Sequence, residues 1–206
     1  MSVIIDDTEI KEDDVTEQQF RNASTIELDN ISDNIRNIFQ SIDDLPNCTR
    51  LRCDRNQITT LPNLPICTSL VCNSNRLTIL PNLPNCTSLV CNSNRLTTLP
   101  ELPICTRLRC DDNELTTLPE LPICTELQCN ENELTTLPEL PNCQQLTFRP
   151  NNPENMDVSI IQLREWITNF SNNPLIINNV IIPREDVITE VESQIEFMNN
   201  TMNPTT

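Results

Sequence analysis

From residue 48 onward the apolar positions of this chain follow neither a helical nor a simple strand period but a fixed 19-residue frame. Its first position is filled by Cys48, Cys67, Cys86, Cys105, Cys124 and Cys143, and its fourth by Leu51, Leu70, Leu89, Leu108, Leu127 and Leu146. The sixth runs Cys53, Cys72, Cys91, Cys110, Cys129 and ends on Phe148; the eleventh runs Ile58, Leu77, Leu96, Leu115, Leu134 and fails at Pro153. A repeat of this size marks a stack of one supersecondary unit, each burying its apolar face against the next. Alternation around position four predicts a short strand at positions three to five of each of six units, with positions one, four, six and eleven inward. The second half of each unit, as in Leu80-Pro81-Asn82-Leu83-Pro84, carries two Pro, which forbid helix and favour an extended return.

The flanks follow different patterns. Residues 1–30 are rich in acids and read as a mobile lead. Ile31, Ile35, Ile38, Phe39 and Ile42 then fall at helical spacing, with Asn30 or Ser32 as N-cap, so 31–44 is expected to be a helical cap over the open end of the array. The array spans 45–153. Beyond it, 154–199 is expected to form a C-terminal cap: a helix capped by Asp157 or Ser159 and running to Phe170, an extended segment from Pro174 to Pro183, and a second helix from near Arg184. Residues 200–206 are expected to be a disordered tail.

Aligned on L-x-x-L-x-L-x-x-N-x-L, these units resemble the leucine-rich repeat family, whose fold is a horseshoe with parallel strands on the concave face. The Leu-Pro-x-Leu-Pro return is similar to the short repeats of bacterial effector proteins, although Cys stands at positions one and six where those carry Leu and Val or Ile. Repeats of the form L-P-x-L-P-x-C-T-x-L-x-C-x-x-N also resemble those of giant DNA viruses of amoebae. The fold class implied is a β-rich solenoid with extended Pro-rich convex returns and helical caps at both ends. Ligase effectors of this kind carry a separate domain with a nucleophilic Cys; no Cys follows Cys143, so that activity is not carried over.

Composition narrows the function. The chain has no Gly, no His and no Tyr, which removes the usual Gly-rich phosphate turns, the commonest general base and the commonest nitrogen metal ligand. An enzyme is not expected, nor a cofactor. A net charge of −17 argues against nucleic-acid binding. The N-terminus lacks the basic region of a secretory signal, and no stretch is long and apolar enough to span a bilayer. An intracellular, cytoplasmic monomer is expected, in the host cytoplasm if the chain is viral, with its 11 Cys reduced.

Two repeated polar features have structural readings. Asn56, Asn75, Asn94, Asn113, Asn132 and Asn151 fill position nine, where a buried amide can bond main-chain groups of its own turn and the next. The C-x4-C spacing within each unit lacks the close pairs of structural zinc sites, so the Cys are read as small core residues. Thiol-based metal binding is the weaker alternative.

Charge is unevenly distributed. Residues 45–110 carry seven Arg against Asp54 and Glu101, and 111–143 carry eight acids and no base. Positions three, five, seven, eight and ten vary between units, and from them we take Arg50, Arg52, Arg55, Val71, Arg76, Val90, Arg95, Arg107, Arg109, Glu126 and Glu131 as a partner-binding surface on the concave face. Arg50, Arg52, Arg107 and Arg109 are expected to point to solvent around a less charged floor of Ser69, Val71, Ser88 and Val90. The function expected is a non-catalytic module binding a partner protein. The family resemblance implies an alternative, an effector or substrate receptor in a ubiquitin-ligase assembly.

Overall fold

The computed structural model describes residues 2–134 and 137–147, together with the backbone of 175–177 and 180–182. Its frame is a nine-stranded sheet in the order β2-β1-β3-β4-β5-β6-β7-β8-β9. Six strands belong to the repeats: β4 Arg50–Arg52, β5 Ser69–Val71, β6 Ser88–Val90, β7 Arg107–Arg109, β8 Glu126–Gln128 and β9 Gln145–Thr147. They occupy positions three to five of each unit, as the alternation predicts. All pair in parallel and in register, so that Leu51, Leu70, Leu89, Leu108, Leu127 and Leu146 stack in one column. No described residue of the returns from β4 to β9 is helical. The architecture is the expected parallel-strand β-solenoid.

The core is aliphatic and thiol-lined. Cys48, Leu51, Cys53 and Ile58 are all within 1% of complete burial, and the equivalent residues of the following units behave alike. Leu64, Leu83, Leu102, Leu121 and Leu140 from the returns close the opposite side. All 11 Cys are free and buried. Cys suits position one because its thiol donates to the carbonyl of position three of its own unit, as from Cys48 Sγ to Arg50 O at 3.3 Å and from Cys105 Sγ to Arg107 O at 3.1 Å, which a Leu side chain could not do.

Three columns of polar side chains lock the units together. Thr at position two donates its hydroxyl to the carbonyl of the preceding Thr, from Thr68 to Thr49 and onward to Thr125 and Thr106. At position seven the side-chain oxygen of Asp54 accepts the N–H of Asn73, Asn73 that of Asn92, Asn92 that of Asp111, and Asp111 that of Asn130. At position nine each amide bonds its own turn and the preceding unit, rather than the next. Asn113 Oδ1 accepts Leu96 N–H at 3.1 Å, while Nδ2 donates to the carbonyls of Cys91, Cys110 and Asp111. Buried main-chain groups at the strand-to-return corner are thereby satisfied.

The N-terminal flank departs from expectation. In place of a mobile lead, residues 2–29 form β1 (Ser2–Ile5), β2 (Thr8–Ile10), a short 3-10 turn at Glu12–Asp14, α1 (Glu17–Asn22) and β3 (Thr25–Asp29). Acidic side chains at the surface hide an alternating apolar set, Val3, Ile5, Ile26 and Leu28, each no more than 7% exposed. Asp6 and Asp7, with φ of 48° and 63°, make the two-residue hairpin turn between β1 and β2, a geometry for which Asp is among the better non-glycine residues.

β3 pairs in parallel with β4, Ile26 opposite Leu51. Ala23 to Ile31 therefore form an additional unit: Ile26 and Leu28 take the places of the fourth- and sixth-position residues, and Asn56 bonds Ile31 N–H and Leu28 O as later Asn bond the array. Its return is α2, Asp33–Gln40, capped by Ser32, whose side chain accepts Ile35 N–H at 3.3 Å. The helix thus lies within the span expected but does not close the open end of β4; β3 does, and β1 and β2 continue the sheet past it. Phe20 and Phe39 meet edge to face at 5.6 Å between α1 and α2. β10 (Leu175–Ile177) and β11 (Val180–Ile182) form an antiparallel pair. The helices expected in 154–170 and from 184, the tail at 200–206, and Phe148, Asn151 and Pro153 lie outside the described residues.

Candidate interaction surface

Because position four points inward, positions three and five of each strand share the opposite face. Strand register aligns them in two rows. One reads Thr25, Arg50, Ser69, Ser88, Arg107, Glu126, Gln145; the other reads Glu27, Arg52, Val71, Val90, Arg109, Gln128, Thr147. Ser69, Val71, Ser88 and Val90 form a half-buried floor between two Arg pairs. With neighbouring strands about 4.8 Å apart, the pairs are three steps, about 14 Å, from one another.

The two pairs differ electrostatically. Arg107 and Arg109 do not project freely into solvent. Glu126, 8% exposed, is held between them, with Arg107 Nε at 2.8 Å from Oε2 and Arg109 Nε at 2.7 Å from Oε1. A carboxylate this enclosed is tolerated because two guanidinium groups satisfy it. At the other end Arg52 pairs with Asp54 at 3.1 Å, and Arg50 is exposed with no ion-pair partner among the described residues. Asp7, from the β1–β2 turn, and Glu27 share a small cleft with Arg50, Arg52, Ser69 and Val71. Each Arg pair is therefore flanked on its outer side by acid, with the neutral floor between.

The remaining residues taken from the sequence lie off this floor. Arg55 and Glu131 stand at position eight, in the turn after the strand, with φ of 58° and 52°. Arg76 and Arg95 follow at position ten, and all four side chains are exposed. Arg55 joins Arg52, Glu27, Asp29 and Asp54 in lining a cleft of about 400 Å³ beside β1 and β3. The seven Arg thus divide into four on the sheet and three on its turn-side rim.

Position seven, counted with the variable positions in sequence, is an internal hydrogen-bond column. Its signal was present, since all of Asp54, Asn73, Asn92, Asp111 and Asn130 are Asn or Asp. Burial pushes the Asp111 carboxyl above the usual carboxylate range, an effect opposed by the two bonds that Oδ1 accepts from Asn130. The acids Asp7, Glu27 and Asp29 were missed because they come from the flank that lacks the 19-residue frame. Burial also raises the thiols, Cys48, Cys86 and Cys124 each to about 12. Among the described residues no group of three His, Cys, Asp or Glu side chains could hold a metal ion, and no helix is long and apolar enough to cross a membrane.

The same architecture occurs in solved structures of YopM. The structure of YopM from Yersinia enterocolitica WA-314 is 28% identical over the match, with a TM-score of 0.51, covering 76% of this chain and 39% of that one. YopM from Yersinia pestis, described as a leucine-rich effector protein, matches at 28% identity and a TM-score of 0.44, covering 64% of this chain and 44% of that one. The chain therefore spans about two fifths of the length of these proteins. No family model matches it, and no curated protein does. The fold is a leucine-rich repeat solenoid like that of YopM.

Proposed function

We propose that the solenoid is a non-catalytic scaffold that binds a partner protein on its sheet face, centred on Ser69, Val71, Ser88 and Val90. The observation that carries this reading is the in-register floor of small and apolar side chains bracketed by Arg50 and Arg52 on one side and Arg107 and Arg109 on the other. A floor that can be dried, with anchoring Arg around it, is the arrangement in which a few residues dominate binding. At one end Glu126 already holds Arg107 and Arg109 in place, which lowers the ordering cost of binding there. An acidic patch on the partner is expected to meet Arg50, the cation of the four without an ion pair among the described residues. A monomer in a reducing intracellular compartment, host cytoplasm if the chain is viral, belongs to the same reading, because 11 buried thiols contribute to this core only while unpaired.

Affinity purification from expressing cells, with the full chain as bait, tests it. Val71→Glu/Val90→Glu and, separately, Arg50→Glu/Arg52→Glu should each lose the wild-type partner, while Ile79→Glu, on a side chain 63% exposed in the return, should retain it. Charge reversal of Arg107 and Arg109 is a poor probe, since it would set carboxylates against Glu126. If both sheet-face variants keep the partner and reversal of Arg164 and Glu165 loses it, the binding face lies outside the array. A ligase component among the partners would assign the effector or substrate-receptor role.

A further inference from the structure

We infer that the outer edge of β2 is a second interaction site, which takes an extended basic-apolar segment of a partner protein as a tenth strand of the sheet. β2 ends the strand order. Asp6 N–H bonds Thr25 O across to β3, so by alternation Ser2, Ile4 and Asp6 turn their main-chain groups toward β3, and Val3 and Ile5 turn theirs toward β2. Their partners Ile10 and Thr8 are thereby occupied. Glu9 is left with its N–H and C=O directed away from the sheet, the donor and acceptor that an added strand requires.

Beside this edge lies a cleft of about 300 Å³, lined by the apolar side chains of Val3, Ile10, Ile31 and Ile35 and by Glu9, Lys11 and Glu12. It continues the inward face of the sheet, so alternate side chains of an added strand would enter it. An aliphatic residue fits its lining. The rim sets the charge of the occupant: Glu9 and Glu12 border the cleft, Asp7, Asp13 and Asp14 adjoin it in sequence, and Lys11 is the one base among them. Residues 1–44 carry 12 acids and three bases, so a second copy would bring like charge to like. The shortness and charge of β2 discourage self-pairing and leave a strand with alternating Lys or Arg and aliphatic residues as the complement.

The test uses the full chain and a fluorescein-labelled peptide, Thr-Lys-Val-Lys-Val-Lys-Thr, read by anisotropy. Saturable binding is expected, and Glu9→Pro should weaken it at least about tenfold, since it removes an outward N–H at an edge position where Pro is tolerated. Methylating the backbone nitrogens of the peptide should do the same on unaltered protein, a comparison that does not depend on the variant folding. Val71→Glu/Val90→Glu should leave peptide binding unchanged, which separates this site from the sheet-face floor. Absence of saturable binding at millimolar peptide, or equal binding of the N-methylated peptide or of one with Glu in place of Lys, overturns the inference. So does a dimer of the chain that Glu9→Pro dissolves while the peptide fails to bind.

Discussion

Replacing Asn113 by Leu isolates the energetic worth of the position-nine column at the centre of the array. The wild-type amide supplies four bonds: Oδ1 accepts Leu96 N–H, and Nδ2 donates to Cys91 O, Cys110 O and Asp111 O. Not all become orphans in the variant, because Cys91 O keeps a donor in Asn94 Nδ2 and Cys110 O keeps one in Asn132 Nδ2. Leu96 N–H, on a fully buried residue, donates to Asn113 Oδ1 and has no other acceptor among the described residues. One orphaned buried donor costs about 1–3 kcal/mol and each net bond lost about 0.5–1.5 kcal/mol, so the variant should lose about 2–5 kcal/mol. With a urea m-value of about 2 kcal/mol/M, the middle of the usual range, the unfolding midpoint should fall by about 1–2.5 M. Circular dichroism during urea titration reads this directly, with Arg95→Ala, an exposed neighbour, as the control expected within about 0.5 kcal/mol of wild type. Asn113→Asp refines the measurement: it keeps the acceptor for Leu96 but turns a carboxylate toward three carbonyl oxygens. Its deficit should be largest at neutral pH and shrink as the pH falls below the ordinary carboxylate range, where the side chain is neutral in both folded and unfolded chain. If Asn113→Leu unfolds at the same urea concentration as Arg95→Ala, the column is decorative and the reasoning fails.

The thiol columns should react slowly with a disulfide reagent in the native protein and yield all 11 thiols on unfolding. Burial raises the folded thiols, Cys86 to about 12, while unfolded thiols ionise near 8.5, so their contribution is fully present below that unfolded value and is lost as pH rises toward the folded one; urea midpoints measured from pH 8 to 11 should fall steadily, and a flat profile would refute it. Glu126→Gln should lower stability by about 1 kcal/mol at low salt and by less in high salt, since the pairs it breaks are partly exposed at their Arg ends; thermal melts at two ionic strengths check this. Removing residues 1–44 should expose the edge of β4 and the row beginning at Cys48 and Leu51, giving aggregation in light scattering, whereas a soluble monomer of unchanged midpoint would show that the additional unit stabilises nothing.

The repeat array was legible because each inward column is chemically uniform. Cys, Leu, Cys and Leu at positions one, four, six and eleven give the register outright, and the strands fall where that register puts them. The additional unit was not, for a physical reason: its return is the helix α2 rather than a Pro-rich segment, so Ala23 stands 25 residues before Cys48 instead of 19. Ala23, Ile26 and Leu28 carry the inward pattern in other residue types, and the surrounding acids resemble a solvated tail. The rows of the sheet face were legible position by position. What sequence could not show is which Arg are already engaged: Glu126 reads as one more variable surface residue until β7 and β8 bring it between Arg107 and Arg109.

Much of each unit is committed to the stack. Positions one, four, six, eleven and seventeen form the core, and positions two, seven and nine are committed to bonds between units. Position eight carries a further constraint: Arg55, Ser74, Ser93, Asp112 and Glu131 all hold φ between 52° and 58° with no Gly in the chain. A left-handed residue without Gly costs about 1 kcal/mol, so each unit bears this cost in order to turn the chain out of the strand and aim position nine inward. Adjacent units bonded through three polar columns over-determine that turn and offset its cost. Substitution at these columns is therefore felt by two units, whereas the side chains at positions three and five point outward, Glu126 with Arg107 and Arg109 being the group that ties two units. A partner-specific surface can change there without disturbing the stack. The contrast of Ser69, Val71, Ser88 and Val90 with the Arg pairs around them falls on two columns whose side chains point away from the core.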